Sequence, residues 1–357
     1  MINEKRRKAL QKEIEKRGLQ GALLVSPENI YYLTGAPFLA GRPDKLLYFD
    51  CNCNGSLIVN DLDYEETCAF AEGVEIVKTN RGERSTERLK MIAGKTLGIE
   101  ENFLSLSLYE ILGKDFELKP LEGVVDKMRE IKDSDEVERI ESSQRATERA
   151  LNKASGTFKG GMTELEIASE IEYNMRREGA VSYAYDSIVA SGARAVYPHG
   201  NPTNKKVGEG EGVVIDIGSR VNGYCSDMTR TLFFGKPNKE MEKVYQSVLE
   251  SQESAIEAAR NGITGKDLDG VARESLSKSG YSEYFVHGLG HGVGIAVHEG
   301  PTVNSQGKEA LVPGNVITIE PGVYIPNIGA VRIEDMLLID GNGSRNLTKF
   351  TKELLVF

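Results

Sequence analysis

The sequence predicts two domains: a small α/β domain over residues 1–125, and an α+β domain with internal pseudo-two-fold symmetry over residues 126–357. Three observations predict this. The chain has 357 residues, more than one hydrophobic core ordinarily serves. Its first third alternates short apolar runs with short helical patterns, whereas the remainder is built from longer helices. The landmarks of that second part then recur at a nearly constant offset.

Composition narrows the function classes. A hydrophobic content of 39% with 27% charged residues is that of a globular chain, neither disordered nor membrane-embedded. The formal net charge of −10 argues against nucleic acid or an anionic membrane as the main partner. Residues 1–17 are rich in Lys, Arg and Glu, unlike a secretory signal, and no apolar stretch is long enough to span a bilayer. Cys51, Cys53, Cys68 and Cys225 form no disulfide framework, and Cys51-Asn-Cys53 is too tight for a zinc pair. Free thiols in a reducing cytoplasm are the expectation.

Residues 3–17 read as a helix, with Leu10 and Ile14 on one face and Gly18 as its stop. The apolar run Gly21 to Val25 has strand length. Ser26 as N-cap with Pro27 at the first helical position starts a second helix, which Gly35 ends. Short strands fit 46–49, 56–60, 74–77 and 96–99, and helices fit 86–93 and 107–112, closed by Gly94 and Gly113. This alternation implies a small α/β domain around a largely buried sheet. No catalytic constellation stands out in it.

In the second part a long helix is expected from Ser134, its N-cap, to residue 155. It precedes Gly161-Met-Thr163-Glu-Leu-Glu166, whose Thr-x-x-Glu is a capping box. A second long helix at about 239–260 precedes Gly262-Ile-Thr264-Gly-Lys-Asp267, with an acid again three residues after Thr. Gly161 and Gly262 lie 101 residues apart, as do Gly179 and Gly280, which stop the two following helices. Val213-Val-Ile-Asp216-Ile-Gly218 is echoed 104 residues later by Ile317-Thr-Ile-Glu320-Pro-Gly322. Two copies of helix, helix and strands, each ending in a carboxylate, place a site between the halves.

Asp216 lies in an apolar strand, where a carboxylate is costly unless paired or bound to a cation. Asn222-Gly223 is a strong hairpin signal. A two-residue turn there sets residue 216 opposite 229, so that Asp227 faces the same side as Asp216. Glu320 and Glu334 are an even number of residues apart, as one face requires if their strands are regular. Taken singly, Asp216 and Glu320 could be ordinary strand-end residues before a glycine. Four crowded acids with imidazole nearby would instead repel unless cations held them. Such oxygen-rich ligation suits a pair of Mn, Co, Fe or Zn ions.

Three of the four histidines, His287, His291 and His298, fall within residues 287–300, and His199 sits in Pro198-His199-Gly200. A lone histidine is more often structural than a ligand. Glycines on both sides of His291, however, imply backbone pressed close to a neighbour. Val297-His298-Glu299 reads as a returning strand that brings His298 to the same centre.

This ordered set resembles the "pita-bread" metallopeptidases, the family of methionine aminopeptidase, aminopeptidase P, prolidase and creatinase. The matching motifs are Pro198-His199-Gly, Ile215-Asp216-Ile-Gly, Tyr224-Cys-Ser-Asp227-Met-Thr-Arg-Thr231, His287 to Glu299, Thr318-Ile-Glu320-Pro-Gly and Arg332-Ile-Glu334-Asp, spanning roughly residues 127 to 350. Asn29-Ile-Tyr-Tyr-Leu-Thr-Gly35 resembles the creatinase-like N-terminal domain of prolidases and aminopeptidases P, which argues against methionine aminopeptidase.

The resemblance implies five metal ligands: Asp216, Asp227, His291, Glu320 and Glu334. Asp227 and Glu334 would bridge two divalent ions, Mn or Co foremost, with Zn or Fe also compatible. Glu320 would double as acid/base, His298 would meet the scissile carbonyl, and His199 would lie near the leaving proline nitrogen. His287 would line the prolyl pocket, and Arg332 would support Glu334 or the substrate. The implied activity is hydrolysis of the Xaa-Pro bond of small proline-containing peptides by a metal-bridging hydroxide, foremost of dipeptides (prolidase). The alternative is an aminopeptidase P acting on longer peptides. A non-catalytic binding protein of this family, and creatinase itself, would lack the intact ligand set. A dipeptidase needs an anchor for the substrate carboxylate, preferably a fork-like arginine. Between His298 and Glu320 the only cation is Lys308, which leaves Arg194, Arg332 or a neighbouring subunit. The resemblance also implies a homodimer, its N-terminal domain closing the neighbour's site, with no nucleic-acid or membrane partner.

Overall fold

A computed structural model of the protein describes residues 2–38 and 45–357. The chain divides into two units, Met1–Arg129 and Glu130–Phe357. In the first, the apolar strand Gly21–Leu24 lies antiparallel to Leu46–Asp50 and parallel to Thr96–Ile99. Gly55–Val59 and Glu75–Lys78 extend the sheet on one side and Glu117–Pro120 on the other, six strands in all. Leu23, Tyr48, Ile58 and Leu97 build a core with Leu89, Leu112 and Phe116 from the helices and loops. The inner strands are buried, as expected, but Glu75–Lys78 and Glu117–Pro120 are edges with mostly solvated side chains. Ser26 caps the helix Pro27–Thr34 by accepting from the Asn29 amide, and Gly35 closes it at φ 77°. Of the next two stops one differs from expectation. Ala93 rather than Gly94 ends Ser85–Ile92, whereas Gly113 closes Leu106–Leu112 as expected, at a right-handed φ of −63°.

In the second unit, Asp133, not Ser134, caps the long helix Ser134–Ser155 through a capping box with Glu136. An aspartate outcompetes the serine because Glu136 sits three residues beyond it and can answer its backbone N–H. Thr163 and Glu166 form the expected box ahead of the helix Glu164–Arg177. Thr264 caps Gly265–Lys278 after the helix Lys239–Ala258.

Each half then folds a long hairpin. Glu211–Ile217 pairs with Met228–Phe234, Asp216 opposite Thr229, in the register the Asn-Gly turn predicts. The same register runs on through Ser219–Val221 and Tyr224–Cys225. Asn222 and Gly223 turn the chain at φ 50° and 80°. In the second half Val316–Ile319 pairs with Asp335–Ile339, and Gly322–Ile325 pairs with Gly329–Arg332 in one continuous register. Glu320 and Glu334 fall opposite each other in the short break between the two ladders. Each half owns a core, one around Ile167, Ile171, Ile215 and Leu232, the other around Val244, Leu268, Ile317 and Leu337.

Candidate metal centre and its cavity

The two hairpin breaks meet. Thr229 donates through Oγ1 to Glu334 Oε2 (2.7 Å), and the Glu334 amide donates to the Thr229 carbonyl (3.1 Å). Thr231 Oγ1 both donates to the Arg332 carbonyl and accepts from the Arg332 amide. These bonds tie the strand after Asp227 to the strand before Glu334. They bring four carboxylates to the floor of one cavity of about 470 Å³.

Asp216 and Asp227 converge on Tyr185, whose hydroxyl lies 2.5 Å from Oδ1 of each. A phenol has one proton, so it can satisfy only one carboxylate at a time. Burial, then Asp216 and Asp227, raise the Tyr185 hydroxyl well above its ordinary range. Arg332, almost wholly buried, donates from Nη2 to Asp216 (2.5 Å), from Nε to Thr229 and from Nη1 to Tyr324 and the Pro198 carbonyl.

His291 stands between Asp227 and Glu320, its Nε2 3.6 Å and 3.4 Å from their oxygens. Its Nδ1 faces the Gly292 carbonyl at 3.0 Å, which assigns the ring proton to Nδ1 and leaves a lone pair on Nε2. Burial, then His298, lowers its pKa to about 4, so these separations are not ion pairs. A Cβ on Gly290 would meet the Thr318 carbonyl at 2.1 Å, and one on Gly292 the Gly300 carbonyl at 1.9 Å. Both glycines are required because His291 rides a strand squeezed between two others.

Burial, then neighbouring carboxylates, raises Asp227 and Glu334 well above the carboxylate range, and burial with Glu334 does the same to Glu320. A lone pair aimed at a knot of acids that can ionise only at great cost is a donor set suited to cations. Asp227, His291 and Glu334 each offer a ligand atom, all within 4.8 Å of one another. These residues fit divalent metal ions.

The other expected residues line the same cavity, including His199, His287 and His298. His298 falls in a bend, and the strand begins only at Glu299. Its ring packs edge-on to His291 with centroids 4.3 Å apart, and burial lowers its pKa. His287 is held by its neighbours: Nδ1 faces the Gly288 carbonyl, and Nε2 lies 2.8 Å from the Tyr324 hydroxyl. That hydroxyl accepts from Arg332 and so donates to His287, whose pKa burial lowers to about 4. Arg194 does not reach the cavity. It pairs with Glu164 and the Asn201 carbonyl, which corrects the expectation that it could anchor a substrate carboxylate.

Tyr185 and Tyr324 have no counterpart in the sequence reading, and Thr229 and Thr318 stand in its motifs without an assigned role. Thr318 Oγ1 accepts from the His291 amide and lies 3.3 Å from Glu320, a role its place two residues before Glu320 could have suggested. Tyr185 carries no such signal: it is one of 14 tyrosines and stands in none of the matching motifs.

Residues 138–341 match metallopeptidase family M24, and residues 6–131 match the creatinase/prolidase N-terminal domain. A Xaa-Pro dipeptidase of Pyrococcus horikoshii is 39% identical over 99% of each chain. A Xaa-Pro dipeptidase structure from Bacillus anthracis superposes with a TM-score of 0.93 at 31% identity, covering 99% of this chain and 100% of that one. An X-Pro aminopeptidase structure from Thermotoga maritima gives 0.90 at 33% identity, covering 98% and 99%.

Proposed function

The chain belongs to metallopeptidase family M24, behind a creatinase/prolidase N-terminal domain, and on that premise we propose that it hydrolyses the Xaa-Pro bond of dipeptides. The observation that carries this reading is the meeting of a neutral His291 Nε2 with Asp216, Asp227, Glu320 and Glu334 on one cavity floor. Those five residues would hold two divalent ions, Mn or Co before Zn or Fe, with Asp227 and Glu334 facing both. When bound, such ions supply an acidified water as nucleophile and a Lewis acid for the peptide carbonyl. Glu320 takes the nucleophile's proton and returns it to the leaving proline nitrogen, beside which His199 stands. His298, neutral and open to the cavity, donates to the carbonyl oxygen as it gains charge. His287, held in place by the Tyr324 hydroxyl behind it, offers the wall against which the prolyl ring packs.

A second reading, aminopeptidase P, is favoured by one observation. Arg332 is the only arginine or lysine lining the cavity among the described residues, and Asp216, Thr229, Tyr324 and Pro198 already engage its guanidinium. The test is hydrolysis, with added Mn or Co, of a dipeptide ending in proline beside a longer peptide with proline second. Cleavage of the dipeptide alone upholds the dipeptidase. Cleavage of both transfers the chain to the second reading.

We further propose a homodimeric, cytoplasmic enzyme. Exposed Leu62, Met91 and Leu106 on the N-terminal unit support the dimer, and four free cysteines support a reducing compartment. Sedimentation of the full chain at the mass of one copy would sink the dimer. No described helix is long and apolar enough to cross a membrane.

A further inference from the structure

One buried carboxylate outside the metal centre gathers more bonds than any ligand does. Glu164, the first residue of the helix Glu164–Arg177, is fully buried. Its Oε1 accepts from the Ser191 amide and hydroxyl, both at 2.8 Å. Its Oε2 accepts from the Thr203 amide (3.0 Å), the Thr203 hydroxyl (2.7 Å) and Arg194. Ser191 ends the strand Ile188–Ser191, and Thr203 lies twelve residues further on. Between them runs a loop whose far end, Pro198, His199 and Asn201, lines the cavity. One side chain thus closes the neck of that loop from both sides, and Arg194 braces it inside by donating to the Asn201 carbonyl.

We propose that Glu164 is a positioning residue that sets His199 at the reacting bond. It touches neither substrate nor metal ligand, and acts by fixing where the loop emerges. Five charge-assisted or buried bonds to one carboxylate cannot all survive its loss, because an amide offers a single acceptor oxygen. A shift of about 1 Å in a group at the reaction centre costs about a hundredfold in rate.

The claim rests on the proposed place of His199 in catalysis, so its test needs a readout that does not. The protein has only 4 histidines. Ring-¹³C histidine NMR of the full chain loaded with diamagnetic Zn(II) therefore gives few signals, and His199→Ala identifies the one that matters. In Glu164→Gln that signal moves or splits, while those of His287, His291 and His298 hold. With Mn(II) or Co(II), kcat on a proline-ending dipeptide falls about tenfold to a hundredfold with metal content unchanged. The double variant Glu164→Gln/His199→Ala falls no more than about twofold below His199→Ala alone, since both act through one group.

An unmoved His199 signal, or losses that multiply in the double variant, overturns the proposal. So does a lowered Tm with all four rings in place, which would make Glu164 merely structural. If Glu164→Gln fails to fold, Thr203→Val removes one bond of the neck and is read the same way. A moved signal with full turnover in both Glu164→Gln and His199→Ala upholds the clamp and overturns the role given to His199.

Discussion

The two halves of the catalytic unit run the same plan to different ends. Each has a long helix, a second helix capped by threonine, and a long hairpin that presents two carboxylates at or beside the point where its ladder is interrupted. The first half contributes Asp216 and Asp227, and the second Glu320 and Glu334. Only the second adds imidazoles from within its sheet, on the strand Gly290–Gly292 and in the bend after it. The first half's single histidine arrives on a loop. The repeated carboxylates, joined by His291 alone of the unshared residues, are suited to hold cations, and the other unshared histidines are suited to meet the substrate. Duplication of a scaffold explains the charge cluster, while the reaction's specificity lies in what the copies do not share.

The sharpest way to break this division is through the repeated set. Asp227→Asn and Glu334→Gln should each abolish activity, a loss of at least about a thousandfold. Metal content by elemental analysis should fall while the N-terminal unit stays folded. Near-normal turnover in either would remove the assigned bridges. Next comes His298→Ala, on the unrepeated side. It should retain both ions and lose about a hundredfold to a thousandfold in kcat, the usual loss when one donor to a developing oxyanion is removed. Loss of metal there would mean that His291 and His298 had exchanged roles.

The same division governs what was legible in the sequence. The approach of Asp216 to Asp227 follows from an Asn-Gly turn and the two-residue period of a strand, both local rules, and the structure shows that register. The capping box at Thr163 is equally local. What escaped is non-local. Glu164 reaches partners 27 to 39 residues away, and Arg332 reaches Asp216 across 116. No spacing rule announces such bonds. Arg194 illustrates the error this produces: a cation near a site histidine looks like a substrate anchor until its acid is seen. In the N-terminal unit the strand Glu117–Pro120 and the helix Tyr64–Phe70 escaped because few of their side chains are buried, which leaves no apolar period to read.

The imidazoles of the second half also sharpen the comparison through pH. His287 is held neutral in the folded chain, its pKa lowered to about 4 by burial and then by Arg332. Once unfolded it titrates near about 6.5. The unfolded chain therefore binds the extra proton between those values. The contribution of His287 to stability is whole above about pH 6.5 and is lost as pH falls toward 4. The span is on the order of 3 kcal/mol. Asp227, Glu320 and Glu334, raised by burial, pull the metal-free chain the other way. The useful quantity is therefore the difference between the parent and His287→Gln, both stripped by chelator. Urea midpoints from pH 7 to 4.5 should show a shallower acid loss in the variant. Parallel curves would mean that His287 is not held neutral.

The smallest predicted effect compares the two clamps. Where the first half closes a loop with Glu164, the second holds residues 285–289 with an ion pair on its own second helix. Asp269 accepts from the Leu289 amide (3.0 Å) and from Arg273, and Arg273 donates to the carbonyls of Phe285 (2.9 Å) and His287 (2.5 Å). The guanidinium also lies 4.3 Å over the Phe285 ring, which packs edge-on to His287. Both devices fix a histidine, but one histidine is proposed to stand at the leaving nitrogen and the other to form the pocket wall. Loosening them should therefore damage different constants. Asp269→Asn keeps the shape but weakens the charge-assisted bonds, and should raise KM about tenfold with kcat nearly steady. Glu164→Gln should lower kcat instead. If Asp269→Asn lowers kcat and leaves KM alone, His287 takes part in the bond-breaking step, and the division between a cation-holding repeat and a substrate-reading remainder would have to be redrawn around it.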